Sequence, residues 1–235
     1  ARDVAISGYI RDLSPAVRFP GRAYVLPSGG DRGLAMTTVN LDRVDLRLMR
    51  MSDRNLIGAL QDDLFARPLD AWSAQRFNAD RATEVWRGSA TVAGQGMLNA
   101  DVTTRLAIPE EVGPLAPGIY VLQATVPGQD VEETGVAAQW FVISDLGIST
   151  LMGVDGLTVV VRGLADAGPK PGAEVTLLSR ANAVLGMAQA DDDGVVRFDA
   201  GLTRGPGSQA PAAVVVRGAA EDMTFLSLTD PEFDL

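Results

Sequence analysis

Apolar and polar residues alternate along most of this chain with a period of two. In RVDLRLMR (43–50), Val44, Leu46 and Leu48 fall on one side and Arg43, Asp45 and Arg47 on the other, which predicts a half-buried strand. ADVTTRLAI (100–108) repeats the pattern with Val102, Leu106 and Ile108 inward. In PGIYVLQATV (117–126), Tyr120, Leu122, Ala124 and Val126 share a face behind a Pro117-Gly118 turn. DVAISGY (3–9), RAYVL (22–26), EVWRGSATV (84–92) and VAAQWFVI (136–143) supply further strands, with Trp86 and Trp140 expected in the core. Helical spacing interrupts this rhythm only between residues 52 and 83. Ser52 or Asp53 is placed to cap a helix whose inner side carries Leu56, Ile57, Leu60 and Leu64. Gly58 weakens that helix by about 1 kcal/mol relative to alanine. A second short helix is expected to start at Pro68, with Leu69 and Trp72 inward.

After Asp145 the strands become shorter and more regular, at 146–151, 157–162, 173–180, 183–189, 195–199, 212–217 and 223–229. DAGPKPG (166–172), Asp193-Gly194 and GLTRGPGSQAP (201–211) separate them with turn-forming residues. Short strands with turn signals about every 8–12 residues predict an immunoglobulin-like sandwich. The intervening stretch QWFVISDLGIST (139–150) ends one strand and starts another with almost nothing between. A two-residue hairpin prefers residues that tolerate positive φ, such as Asn-Gly, and Ser144-Asp145 fits that poorly. A joint between domains fits better. The expected fold is therefore all-β: two tandem immunoglobulin- or fibronectin-like sandwiches. The first covers 1–144 and carries the helical insertion around 52–83; the second, seven-stranded, covers 145–235. Two separate apolar interiors would meet near Asp145 across a small interface, each sandwich moving as a rigid body.

Composition narrows the chemistry. The 235 residues contain no cysteine and no histidine, so this chain holds no disulfide, thiolate nucleophile, sulfur metal site or Ser-His-Asp arrangement. Thirty acidic against 20 basic residues give a net charge of −10, which opposes binding to a phosphate backbone. No apolar run approaches the ~20 residues that span a bilayer. No charged-then-apolar leader precedes Ala1, and PEFDL (231–235) closes the chain abruptly; a piece of a longer protein is expected.

Four stretches invite a chemical reading. ADDDG (190–194) suggests a calcium loop, but an EF-hand ending its turn at Gly194 would need acids where Gln189 and Ala200 stand. A hairpin between 183–189 and 195–199, with Asp193-Gly194 at positive φ, explains it better. Asp62-Asp63 with Asp70 or Asp80 offers paired carboxylates, without sequence evidence of the sugar-lined cleft a glycosidase needs. PSGGDRG (27–33) lacks the Gly-Lys-Ser/Thr of a P-loop. GLTRGPGSQAP is long enough to be a contact surface. No catalytic, cofactor-binding or metal residue is assigned, no cofactor is implied, and the chain is not expected to be an enzyme.

TTVNLDRVDLRLMRMSDRNL (37–56), EVWRG (84–88), LAPGIYVLQA (115–124), AAQWFVISDLGIST (137–150), DDDGVVRFD (191–199) and FLSLTDPEFDL (225–235) together resemble, in order, stretches of bacterial α2-macroglobulins. The resemblance implies two consecutive macroglobulin domains from the N-terminal half of a large periplasmic protease inhibitor, often anchored to the inner membrane as a lipoprotein. In that family a protease cleaves a bait segment, the molecule rearranges, and many members capture the attacker through a Cys-Gln thioester. Some act beside a cell-wall synthase in defence of the envelope. This chain has no cysteine for a thioester and no recognisable bait segment, so the implied role is architectural, with no inhibition by these residues alone. The implied partners are neighbouring macroglobulin domains of the parent chain and, through the intact protein, target proteases. A pair of adhesin or carbohydrate-binding sandwiches is the competing reading; it calls for exposed aromatics or a calcium loop.

Overall fold

The computed structural model describes residues 12–21, 24–29, 33–62, 64–65, 69–93, 96–107 and 112–229. The strand expected at 3–9, Ile108, Asp63 and Pro68 lie outside the described residues, as does part of PSGGDRG.

Among the described residues fifteen strands form four sheets. β1 (Ala16–Arg18), β3 (Leu34–Val39) and β6 (Val102–Leu106) make a three-stranded sheet, with β3 central. It faces a five-stranded sheet in the order β2-β8-β7-β4-β5: β2 (Tyr24–Leu26), β8 (Ala137–Ile143), β7 (Gly118–Thr125), β4 (Arg43–Met51) and β5 (Ala82–Thr91). Only β2 and β8 are parallel among these pairs. Between the sheets lie Leu34, Met36, Val44, Leu46, Leu48, Leu106, Tyr120, Leu122, Phe141 and Ile143. The inward sets read from the alternation of β4 and β7 are thus the observed ones. Trp86, on the edge strand β5, is only half-buried against this core, its ring lying over Gly88, where a Cβ would collide with it.

Downstream, β9 (Leu146–Gly153), β10 (Gly156–Gly163) and β13 (Val195–Asp199) form one sheet, with β10 central. β12 (Val184–Gln189), β11 (Glu174–Ser179), β14 (Pro211–Arg217) and β15 (Met223–Ser227) form the other, in that order. Their core contains Leu157, Val159, Val161, Val175, Leu177, Val196, Phe198, Val214 and Val216. One expectation fails here: β12 and β13 belong to opposite sheets, so residues 190–194 cross the sandwich rather than close a hairpin. Gly194 alone takes positive φ, at 72°, and a Cβ there would approach the Val161 carbonyl oxygen to 2.5 Å. A glycine turn signal fixes local backbone direction; it does not determine which sheet the chain rejoins.

The helices lie between the two sandwiches. A 3-10 turn (Asp53–Asn55) leads into α1 (Leu56–Gln61), and α2 spans Ala71–Asp80. Asp70, not Pro68, starts α2: its carboxylate accepts the Ser73 N–H at 2.7 Å, satisfying one of the unpaired donors of the first turn. A short α3 (Val131–Thr134) precedes β8. None of these helices is long and apolar enough to cross a membrane.

Candidate functional site: the joint between the sandwiches

The helical segment builds a third apolar cluster, distinct from the two sandwich cores and shared by both units. The five-stranded sheet contributes Met49, Met51, Ile119, Val121, Trp140 and Val142 from its outer face. The helical segment adds Leu56, Ala59, Leu64, Phe65, Leu69, Ala74 and Phe77, and the second sandwich adds Val215, Met223 and Phe225. A satellite group of Ile57, Ala212 and Ala213 extends the contact. Phe65 is the keystone. Its ring stands edge-on to Trp140 at 4.6 Å and lies 5.6 Å from Phe225, so one side chain touches a sheet of each sandwich. Phe77 also packs edge-on against Trp140, at 5.1 Å. The expected small interface between two free bodies is therefore replaced by a continuous apolar layer.

The covalent joint is equally constrained. Ser144 is fully buried; its N–H donates to the Leu26 carbonyl at 3.1 Å, and its Oγ accepts the Leu146 N–H at 3.0 Å. Asp145 binds in three directions. Its Oδ1 accepts the Ser28 N–H at 2.9 Å and its Oδ2 accepts the Ser28 hydroxyl. Its carbonyl accepts the Leu164 N–H at 2.9 Å, and its own N–H donates to Oδ2 of Asp222 at 3.1 Å. Asp222 closes a β14–β15 connection in which Ala220 and Glu221 adopt φ of 55° and 60°. Two successive non-glycine residues in the left-handed region cost about 1 kcal/mol or more each. The connection that holds them also brings the Asp222 carboxylate to the joint.

Further polar contacts cross the layer. Arg217 on β14 pairs with Asp53 at 2.6 Å, and Gln61 of α1 donates to the Arg180 carbonyl. Burial alone would raise the Asp53 carboxyl, but the hydrogen bond and charge of Arg217 outweigh it and hold Asp53 below its ordinary value of 3.8.

The sequence candidates for chemistry find structural employment. Asp62 pairs with Arg81 at 2.6 Å, Asp70 caps α2, and Asp80 ends that helix on its exposed side. In ADDDG, Asp191 Oδ1 accepts the N–H groups of Asp193 and Val195, at 3.0 and 2.8 Å, and so organises the turn. Among the described residues no group of three or more acidic side chains is arranged to hold a metal ion. In PSGGDRG, Ser28 is the partner of Asp145. GLTRGPGSQAP carries two 3-10 turns, Ala200–Thr203 and Gly207–Gln209, ahead of β14.

Trp72 corrects the sequence reading most sharply. It was expected inward and is 64% exposed; Ala74 and Phe77 are the residues of α2 that point into the layer. Leu69 precedes the helix, bridged to Val136, so it does not mark the inner face of α2; Ala74 and Phe77 do, and Trp72 falls on the opposite side of the wheel from Ala74. Phe65, Ser28 and Asp222 were not anticipated at all. Two adjacent bulky apolar residues, Leu64-Phe65, shortly after α1 were the available signal for the first; the other two act across distant loops and leave no local pattern.

Comparison with known proteins places this geometry. Residues 143–235 match the sequence profile described as the bacterial alpha-2-macroglobulin MG3 domain. The chain is 23% identical over 229 residues to alpha-2-macroglobulin of Escherichia coli strain K12, covering 96% of this chain and 13% of that protein. It is 25% identical to the alpha-2-macroglobulin of Xylella fastidiosa strain 9a5c, covering 97% of this chain and 14% of that one. The chain thus spans about one-seventh of the curated relatives it matches. Its fold superposes on native Escherichia coli alpha-2-macroglobulin spanning domains NIE-MG1 with a TM-score of 0.75 at 22% identity, covering 94% of this chain and all of that one. Trypsin-activated Escherichia coli alpha-2-macroglobulin superposes with a TM-score of 0.70 at 23% identity, over 92% of this chain and 14% of the other.

Proposed function

We propose, for a chain that resembles bacterial alpha-2-macroglobulins over nearly its whole length and matches their MG3 domain profile over residues 143–235, that it is a structural segment of a protease-trapping inhibitor. Its own contribution is a rigid two-domain strut, with the domains divided at 144/145. The parent acts on proteases in the periplasm, held at the inner membrane through its N-terminal end, and the strut does no chemistry. The apolar layer centred on Phe65 carries this reading. A trap that rearranges needs segments that move without deforming, and a packed layer transmits displacement where a flexible linker would absorb it. Two of the carboxylates weighed as acid and base, Asp62 and Asp70, are committed to ion pairing and helix capping, which supports a non-enzymatic role.

The test compares two proteins. The full-length gene product, incubated with a general endopeptidase, should protect a large protein substrate from digestion. The isolated 235-residue chain should give no protection at equal molar excess. Protection by the isolated chain, or none by the full product, would remove the proposal.

A further inference from the structure

The outer face of α2 presents an unusual pair. Trp72 is 64% exposed, and the guanidinium carbon of Arg76, one turn on, sits 4.7 Å from the centre of its indole ring. One ring face is thereby stacked and the side chain held upright; an exposure of 64% leaves the other face open to solvent. Among the described residues Arg76 makes no ion pair within 4.0 Å, and its closest defined contact is the Trp72 ring. Beside the pair lies a depression of about 230 Å³ whose floor is Leu64 and Phe77 and whose rim is Asp62, Ser73, Asp80 and Arg81. An apolar floor within a polar rim, next to a pre-ordered tryptophan and arginine, is the composition of a protein-binding hot spot. Leu64 and Phe77 belong to the shared apolar layer, so a force applied here reaches both sandwiches directly.

We infer that Trp72 and Arg76 form a docking anchor for another domain of the same parent polypeptide, one that offers an apolar recess to the indole and a carboxylate to Arg76. This rests on the reading of the chain as one segment of a longer protein. The curated relatives are about seven times its length, so most of the parent lies outside these residues. The alternatives fit less well. The rim carboxylates Asp62 and Asp80 are matched in number by Arg76 and Arg81, which leaves no net positive charge to hold an anionic lipid surface, and a sugar site built on a single aromatic face lacks a second platform, because Arg76 already occupies the other side.

Hydroxyl-radical footprinting read by mass spectrometry tests the inference, with the isolated chain and the full-length parent treated side by side. Trp72 should oxidise at least about fivefold more slowly in the parent, as a residue desolvated at the centre of an interface does. Trp140, 2% exposed in the isolated chain, serves as the unchanged control. Arg76→Glu in the parent should return Trp72 to the oxidation rate of the isolated chain carrying the same substitution, while leaving the isolated chain's unfolding midpoint unaltered. Equal oxidation of Trp72 in both proteins overturns the inference, as does protection that survives Arg76→Glu. Protection of the isolated chain by cellotriose or by phosphatidylglycerol vesicles, with none in the parent, would also overturn it and assign the site to a ligand. If the gene product proves no longer than this chain, its mass reveals that before any footprint is taken, and the segment reading falls with the inference.

Discussion

Leu177 and Phe65 are both buried apolar side chains, yet they report on different kinds of packing. Leu177 sits on β11 inside the second sandwich, and every residue of its cluster comes from that sandwich. Phe65 sits on a turn after α1, between Trp140 of one sandwich and Phe225 of the other. Either truncation leaves a cavity that neighbours cannot fully close, at a cost of about 2–5 kcal/mol for leucine and 3–5 kcal/mol for phenylalanine. The consequences for cooperativity differ. Leu177→Ala should lower the unfolding midpoint of the second sandwich and draw the first after it, because the shared layer remains intact. Phe65→Ala should uncouple the pair: the single denaturant transition followed by near-UV circular dichroism and by Trp140 fluorescence should split into two. A single, unshifted transition in Phe65→Ala would show that the layer contributes contact without coupling.

Polar bonds at the joint sharpen the same contrast on a smaller scale. Asp145 is the residue through which the covalent connection is tied to both units, by Ser28 on one side and by Leu164 and Asp222 on the other. Asp145→Ala deletes the two bonds to Ser28 and leaves the backbone bonds in place. Removing the acceptor of a part-buried backbone donor costs about 1–3 kcal/mol. Asp145→Asn, which keeps a carbonyl oxygen for the Ser28 N–H, should recover about half of that loss in a chemical denaturation series. If both variants match the parent chain, the Ser28 contact adds nothing to the apolar layer, and the layer alone sets the geometry.

Much of the architecture was legible because period-two alternation reports a strand with one wet face. β10 and the inward sets of β4 and β7 follow directly from it. The shared layer was not legible for the same physical reason. β4 buries Val44, Leu46 and Leu48 on one side and Met49 and Met51 on the other, and β7 is buried along nearly its whole length. A strand covered on both faces reads as a continuous apolar run, which says how deeply it lies and nothing about what covers it. The helical insertion was correctly expected at 52–83, but its partner surface on β14 and β15 lies more than 130 residues away in sequence. Local spacing had no access to that contact. Trp72 shows the other limit: Leu69 is buried but lies before α2, so pairing it with Trp72 picked the wrong face of a helix whose inner side is set by Ala74 and Phe77.

The smallest effect belongs to the Asp53–Arg217 pair, and its value is diagnostic rather than energetic. The pair connects the first turn of the helical segment to β14, so it exists only while the sandwiches are in register. Its side chains are 38% and 46% exposed, so solvent screens it and its worth is no more than about 1 kcal/mol. Asp53 titrates below its ordinary value of 3.8 in the folded chain, where Arg217 overcomes the effect of burial. A depressed folded-state pKa stabilises the fold above the unfolded-state value, and that contribution disappears as pH falls through the folded-state value. Stability should therefore fall more steeply below about pH 4 in the parent chain than in Asp53→Asn, and the two curves should converge in strong acid. A double-mutant cycle with Arg217→Gln should show coupling of a few tenths of a kcal/mol, reduced by added salt. In Phe65→Ala, where the layer is broken, the same cycle should give no coupling. Persistence of the coupling there would mean that the ion pair aligns the two sandwiches independently of the apolar layer.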